Sequence, residues 1–138
     1  MTAFTITRKL DLPSDKAFDI ISNFTRSPSP NIPVEVEKVG DPESNGVGTV
    51  RTITIGKVRV RERLESVNPP NSFTYTILSG APMKDYLGKV KISQQEAKSV
   101  IHWNVKFTPK VPGTGWIGAI VSKKAINRLI DEMESSNR

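Results

Sequence analysis

Gly46 to Tyr75 reads GVGTVRTITIGKVRVRERLESVNPPNSFTY, and it lays down three strands in succession. Val50–Ile55 and Val58–Arg63 alternate apolar and polar residues, the period of a half-buried strand. Gly56-Lys57 between them suits a two-residue turn with Gly56 at positive φ. That turn sets the register: Ile55 opposite Val58, Ile53 opposite Val60, Arg51 opposite Glu62. On the other face Thr54 meets Arg59, Thr52 meets Arg61 and Val50 meets Arg63. The apolar set takes the inside. Arg51 and Glu62 are carried in with it, about 4.5–5.5 Å apart at Cβ. Burying an ion is costly unless something compensates, so this pair points to an internal polar site.

The same reading extends to both ends of the chain. Phe4–Leu12 alternates as a first strand, and Pro13-Ser14-Asp15 opens a helix that Ser14 or Asp15 can cap. Ala17, Ile20, Ile21 and Phe24 fall on one face of that helix. The prolines of Ser27–Pro33 force an extended or turned segment, Ile32–Val39 alternates as a second strand, and Asp41–Gly48 is a loop. Downstream, Asn68-Pro69-Pro70-Asn71 ends the central hairpin, Phe73, Tyr75 and Ile77 alternate, and Gly80–Asp85 is a loop. A last hairpin turns at Glu96-Ala97 and sets Ile92 opposite Ile101, Val90 opposite Trp103, Gly88 opposite Val105 and Tyr86 opposite Phe107. Its outer face carries Lys89, Lys91, His102, Asn104 and Lys106. Pro109–Gly115 breaks the sheet. Trp116–Met133 is a long helix with a stripe of Trp116, Ile120, Ala125, Ile126, Leu129, Ile130 and Met133, and the tail SSNR frays. One strand, one helix, five or six strands and a closing helix make a two-layer α+β domain. A curved sheet crossed by a long helix leaves space for a ligand cavity.

Composition narrows the function. A chain of 138 residues is read as one domain, residues 1–138. Without cysteine it has no disulfide and no thiolate chemistry, which fits a reducing compartment. Neither a secretory signal nor a run of about 20 apolar residues is visible, so a soluble cytoplasmic protein that does not span a membrane is expected. The net charge of +6 is spread along strands rather than gathered in a tail, and no specific nucleic acid is expected. With one histidine and no cysteine, no metal site is visible, and no cofactor is expected. His102 has outward parity, which removes Ser-His-Asp catalysis. Gly46-x-Gly48 and Gly113-x-Gly115 do not continue as phosphate loops; the second gives the closing helix a flexible entrance.

Four segments in order resemble the START-like superfamily, also called SRPBCC or helix-grip, and within it the polyketide cyclase/dehydrase branch. They are LPSDKAFDIISNF (Leu12–Phe24), GVGTVRTITI (Gly46–Ile55), RERLESVNPPNSFTY (Arg61–Tyr75) and HWNVKFTPKVPGTG (His102–Gly115). The resemblance implies a curved antiparallel sheet of six to seven strands wrapped around a long C-terminal helix, with one or two short helices after the first strand. It includes lipid and hormone binders, aromatase/cyclases, and lipid or quinone chaperones, and one fold hosts many functions.

The leading expectation is a protein that binds a small hydrophobic ligand (lipid, polyketide or isoprenoid-like) between sheet and closing helix. Its lining is expected from Arg51, Ile53, Val60, Glu62, Phe73, Tyr75, Ile77, Tyr86, Val90, Trp103, Val105, Trp116 and Ile120. Arg51 and Glu62 would orient the ligand, or form a merely satisfied ion pair. Tyr75 and Tyr86 can place hydroxyls near the ligand or bind backbone carbonyls. Trp103 and Trp116 line the pocket or pack in the core. Arg8 shares inward parity with Phe4, Ile6 and Leu10 unless its strand is bulged. Gly80–Asp85 can cover the mouth, with Met83 as an adaptable apolar contact. Catalysis is left open, with more weight on a non-enzyme. One alternative is a cyclase or dehydratase with Glu62 as base. Another is an adaptor whose basic outer sheet (Arg59, Arg61, Arg63, Lys89, Lys91, Lys106) docks on RNA, ribosome or anionic lipid. The oligomeric state is unknown.

Overall fold

The computed structural model describes residues 1–137. A single antiparallel sheet holds β1 (Thr2–Leu10), β2 (Val34–Lys38), β3 (Val50–Ile55), β4 (Val58–Asn68), β5 (Ser72–Ser79), β6 (Met83–Gln95) and β7 (Lys98–Pro109). Its order is β1-β7-β6-β5-β4-β3-β2. α1 (Ser14–Ser22) follows β1, and α2 (Gly115–Asn137) closes the chain. α2 lies against β1, β3 and β7, and α1 against β6 and β7. Register shifts in β2, β4 and β6 bend the strands, so the sheet curves around the helices. This is the α+β helix-grip architecture implied by the sequence.

Both hairpins keep the expected inward faces. Ile55 pairs with Val58, Ile53 with Val60 and Arg51 with Glu62 across β3 and β4, with Gly56 at φ 62 in the turn. Ile92, Val90 and Gly88 face Ile101, Trp103 and Val105. The expected register continues through Leu87, which faces Lys106. A bulge between Lys84 and Leu87 then sets Asp85, at φ 52, and Tyr86 together against Phe107. The Tyr86 ring points inward as its parity with Gly88 requires, and stacks on Phe107 at 6.2 Å. Met83–Asp85 belongs to β6, so the expected loop shortens to Gly80–Pro82.

Other boundaries move for local reasons. Pro13 takes the N-cap of α1 and has no side-chain acceptor to cap it, but Asp15 Oδ1 accepts the first-turn amide of Lys16 at 2.8 Å. The side chain of Gln94 accepts the Ser14 amide, also at 2.8 Å. Phe18 joins Ala17 and Ile21 in the buried face, while Ile20 is only partly covered. Ile32 is buried but precedes β2, because Ser27–Pro33 is turned. Arg8 does point inward from an unbulged β1, and ion-pairs with Asp131 of α2 at 2.6 Å.

The largest correction concerns α2. Its buried residues are Gly115, Ser122, Ile126, Leu129, Ile130 and Met133, whereas Trp116 is 64% exposed and Ile120 49%. The cause is close packing at the helix start. A Cβ on Gly115 would lie 2.0 Å from Thr2 Oγ1, and one on Gly118 3.1 Å from the Phe107 ring. Only a glycine face fits there, so the two bulky neighbours turn outward. The tail does not fray through Asn137: Ser136 hydrogen-bonds Ser29, and Asn137 donates to the Pro28 carbonyl. Arg138 lies outside the described residues.

Candidate functional site

Burial along α2 is graded. Ile130 and Met133 near its end are sealed, while Ile117 and Val121 near its start are each 45% exposed. The space left beneath the first half of the helix is a cavity of about 540 Å³, within the range of small-molecule sites. Ile53, Val60, Phe73 and Ile77 form its sheet wall, and Ile117, Val121, Ala125, Ile126 and Leu129 its helix wall. Gly80–Met83 and Val111 border it between β5, β7 and α2. Ser122 faces Met83 there, with Oγ 3.9 Å from Sδ.

Two polar groups interrupt the apolar lining. Arg51 donates from Nε to Glu62 Oε1 at 3.1 Å, and its Nη2 forms an ion-pair contact with the same oxygen at 3.1 Å. Both side chains are almost fully buried, and the guanidinium lies 3.7 Å from the centre of the Phe24 ring. Burial pushes the Glu62 carboxyl above its ordinary value, against the pull of Arg51. The second group is aromatic. Trp103 Nε1 donates to the Tyr75 hydroxyl at 3.0 Å, and the Tyr75 and Tyr86 hydroxyls share a hydrogen bond at 3.2 Å. Neither phenol binds a backbone carbonyl. Burial raises the pKa of both tyrosines, Tyr75 well above its ordinary value, so they stay protonated at neutral pH. Gly88 makes room for this arrangement, since a Cβ there would lie 2.2 Å from the Tyr75 ring.

A family model described as polyketide cyclase / dehydrase and lipid transport matches residues 1–135. The chain belongs to this family. Solved structures extend the likeness at the level of fold. XoxI from Bacillus cereus superposes with a TM-score of 0.76 at 20% identity, over 98% of this chain and 94% of that one. Ara h 8.0201 gives 0.72 at 20% identity, over 97% and 95%. Norcoclaurine synthase from Thalictrum flavum gives 0.74 at 12% identity, over 97% and 84%. A search of curated proteins gives no match. No helix among the described residues is long and apolar enough to cross a membrane.

In this member of the cyclase/dehydrase and lipid-transport family, nine residues singled out from the sequence come together on the cavity. They are Arg51, Ile53, Val60, Glu62, Phe73, Tyr75, Ile77, Tyr86 and Trp103. Val90 and Val105 share their parity but sit in the packed core, 0% and 2% exposed, away from the lining. Trp116 and Ile120 stand on the outer side of α2 for the reason given above. Sequence reasoning missed Ile117, Gly118, Val121 and Ser122, one residue out of phase with the expected stripe. It also missed Phe24 as the partner of Arg51. Phe24 was legible as apolar, but no local signal linked the end of α1 to β3.

Proposed function

We propose that this protein binds a small hydrophobic molecule, lipid, polyketide or isoprenoid-like, in the cavity between β3–β7 and α2. The observation that carries this reading is the cavity itself, a 540 Å³ space with apolar walls and a few polar groups. Affinity would come from apolar burial, at about 25 cal/mol per Å², and the polar groups would set orientation. A chain without cysteine suits a reducing compartment, and we place its work in the cytoplasm. Native mass spectrometry of protein gently purified from its host is the test, with Nile red titration of the emptied protein beside it. A stoichiometric apolar ligand, or saturable dye binding, is expected. An empty protein that also fails to bind the dye would overturn the reading.

A second reading is enzymatic. A buried carboxyl with a raised pKa is suited to moving a proton, and Glu62 meets that description beside two phenols. It requires turnover that Glu62→Gln abolishes while the fold persists. Docking through the basic outer sheet has less support. Arg59, Arg61 and Arg63 each pair with a carboxylate, from Glu35, Glu37 and Glu65, so half of the basic set named for it is already neutralised.

A further inference from the structure

We propose that the cavity selects an apolar molecule ending in a neutral hydroxyl, an alcohol or phenol, over one ending in a carboxylate. This rests on the reading of the cavity as a hydrophobic-ligand site and adds what the head of that ligand must be.

The argument counts donors and acceptors. The tyrosine cluster has three donor protons: one on Trp103 Nε1 and one on each phenol. It makes two hydrogen bonds, Trp103 to Tyr75 and Tyr75 with Tyr86. Whichever phenol donates to the other, one O–H proton has no acceptor among the described residues. The ion pair is incomplete as well. Arg51 makes one hydrogen bond, from Nε to Glu62 Oε1, so Oε2 accepts nothing and the Nη groups donate to nothing among the described residues, while the pair as a whole carries no net charge. No sealed side-chain nitrogen or oxygen among them lacks a partner. The spare oxygen is therefore not walled off, and Glu62, Tyr75 and Tyr86 all line the cavity. A spare donor and a spare acceptor thus open on one apolar space. A hydroxyl group answers both, because it accepts through its oxygen and donates through its proton.

Charge argues against a carboxylate at this position. Arg51 is already neutralised by Glu62 at 3.1 Å. A second anion here would lie beside Glu62 in a low-dielectric site with no free cation of its own. The other cationic side chains on the cavity lining, Lys57 and Arg59, lie at the β3–β4 turn rather than beside the tyrosines. A plain hydrocarbon fits the walls but leaves the spare donor and acceptor unmet, which is costly once water is displaced.

The test uses three probes with one apolar body: hexylbenzene, 4-hexylphenol and 4-hexylbenzoate, each displacing Nile red at neutral pH. The phenol is expected to bind about tenfold or more tighter than either of the others. In Glu62→Gln, which frees the Arg51 charge, 4-hexylbenzoate is expected to gain about tenfold or more relative to hexylbenzene. The wild-type ranking decides the matter even if the variant fails to fold. Equal affinity for phenol and hydrocarbon, or tightest binding of the benzoate, would overturn this inference and leave the cavity reading intact. No displacement by any probe, with no Nile red binding, would overturn both.

Discussion

Arg51 and Glu62 are held in place by opposing costs. Each is expensive to bury alone, and together they are tolerable. Replacing Arg51 by Met leaves a buried carboxylate, and urea unfolding is expected to show a loss of about 3–5 kcal/mol. Replacing both, Arg51→Met with Glu62→Leu, is expected to recover most of that loss or exceed the parent. The pH dependence has a definite sign. Glu62 has a folded pKa raised above its unfolded value near 4.5. Its contribution to stability is therefore fully present below that value and lost as pH rises through the folded pKa. Melting temperature measured from acid to neutral pH should fall less steeply in Glu62→Gln than in the parent. The pair was legible in the sequence because a two-residue turn at Gly56-Lys57 converts counting into register. Its environment was not: the Phe24 ring at 3.7 Å comes from the segment just after α1, and strand parity carries no information about a segment on the far side of the space. Alternation turned Tyr75 and Tyr86 inward but did not announce the bond between their hydroxyls, which depends on the β5–β6 register that sets Tyr75 opposite Gly88.

Among the elements, α2 separates what periodicity can and cannot reveal. Its existence follows from spacing, and Ile126, Leu129, Ile130 and Met133 are buried as the stripe predicts, but the first turns were misread by one residue. Hydrophobicity favours Trp116 and Ile120 as the buried stripe. Contact distance favours Gly115 and Gly118, and sterics win because a Cβ on Gly115 would meet Thr2 Oγ1 at 2.0 Å and one on Gly118 would press on the Phe107 ring, which is fixed in the packed core. A small residue at a helix face is silent on a hydropathy scale, so the decisive positions were the ones that looked neutral. Ala125 on the same helix lines the cavity. Ala125→Phe should therefore fill the space, weakening Nile red binding about tenfold or more while thermal melting stays cooperative. In β6 the critical position is Gly88. Gly88→Ala should cost about 1–3 kcal/mol through overpacking against Tyr75. The fluorescence of Trp103, bonded to the same phenol, should report the displacement.

At the scale of the whole molecule, the sheet is two-sided in chemistry. Inside it is apolar with a small polar floor; outside it carries Lys89, Lys91, Lys106 and the three paired arginines. If the cavity is the working site, Lys89→Glu, Lys91→Glu and Lys106→Glu combined should leave Nile red affinity and its weak dependence on salt unchanged. A steep salt dependence lost in this variant would instead favour the outer surface. Strand order carries a last consequence. β1 is paired along its length with β7, from Thr2 with Phe107 to Leu10 with Ser99. β1 thus waits for a partner made much later in synthesis, and α2, the other wall of the cavity, emerges later still. Pairings so distant along the chain close slowly, because loop entropy must be overcome before contacts reward it. A nascent chain stalled before Lys98 has neither β7 nor α2, so the container and its contents can meet only once both have been made.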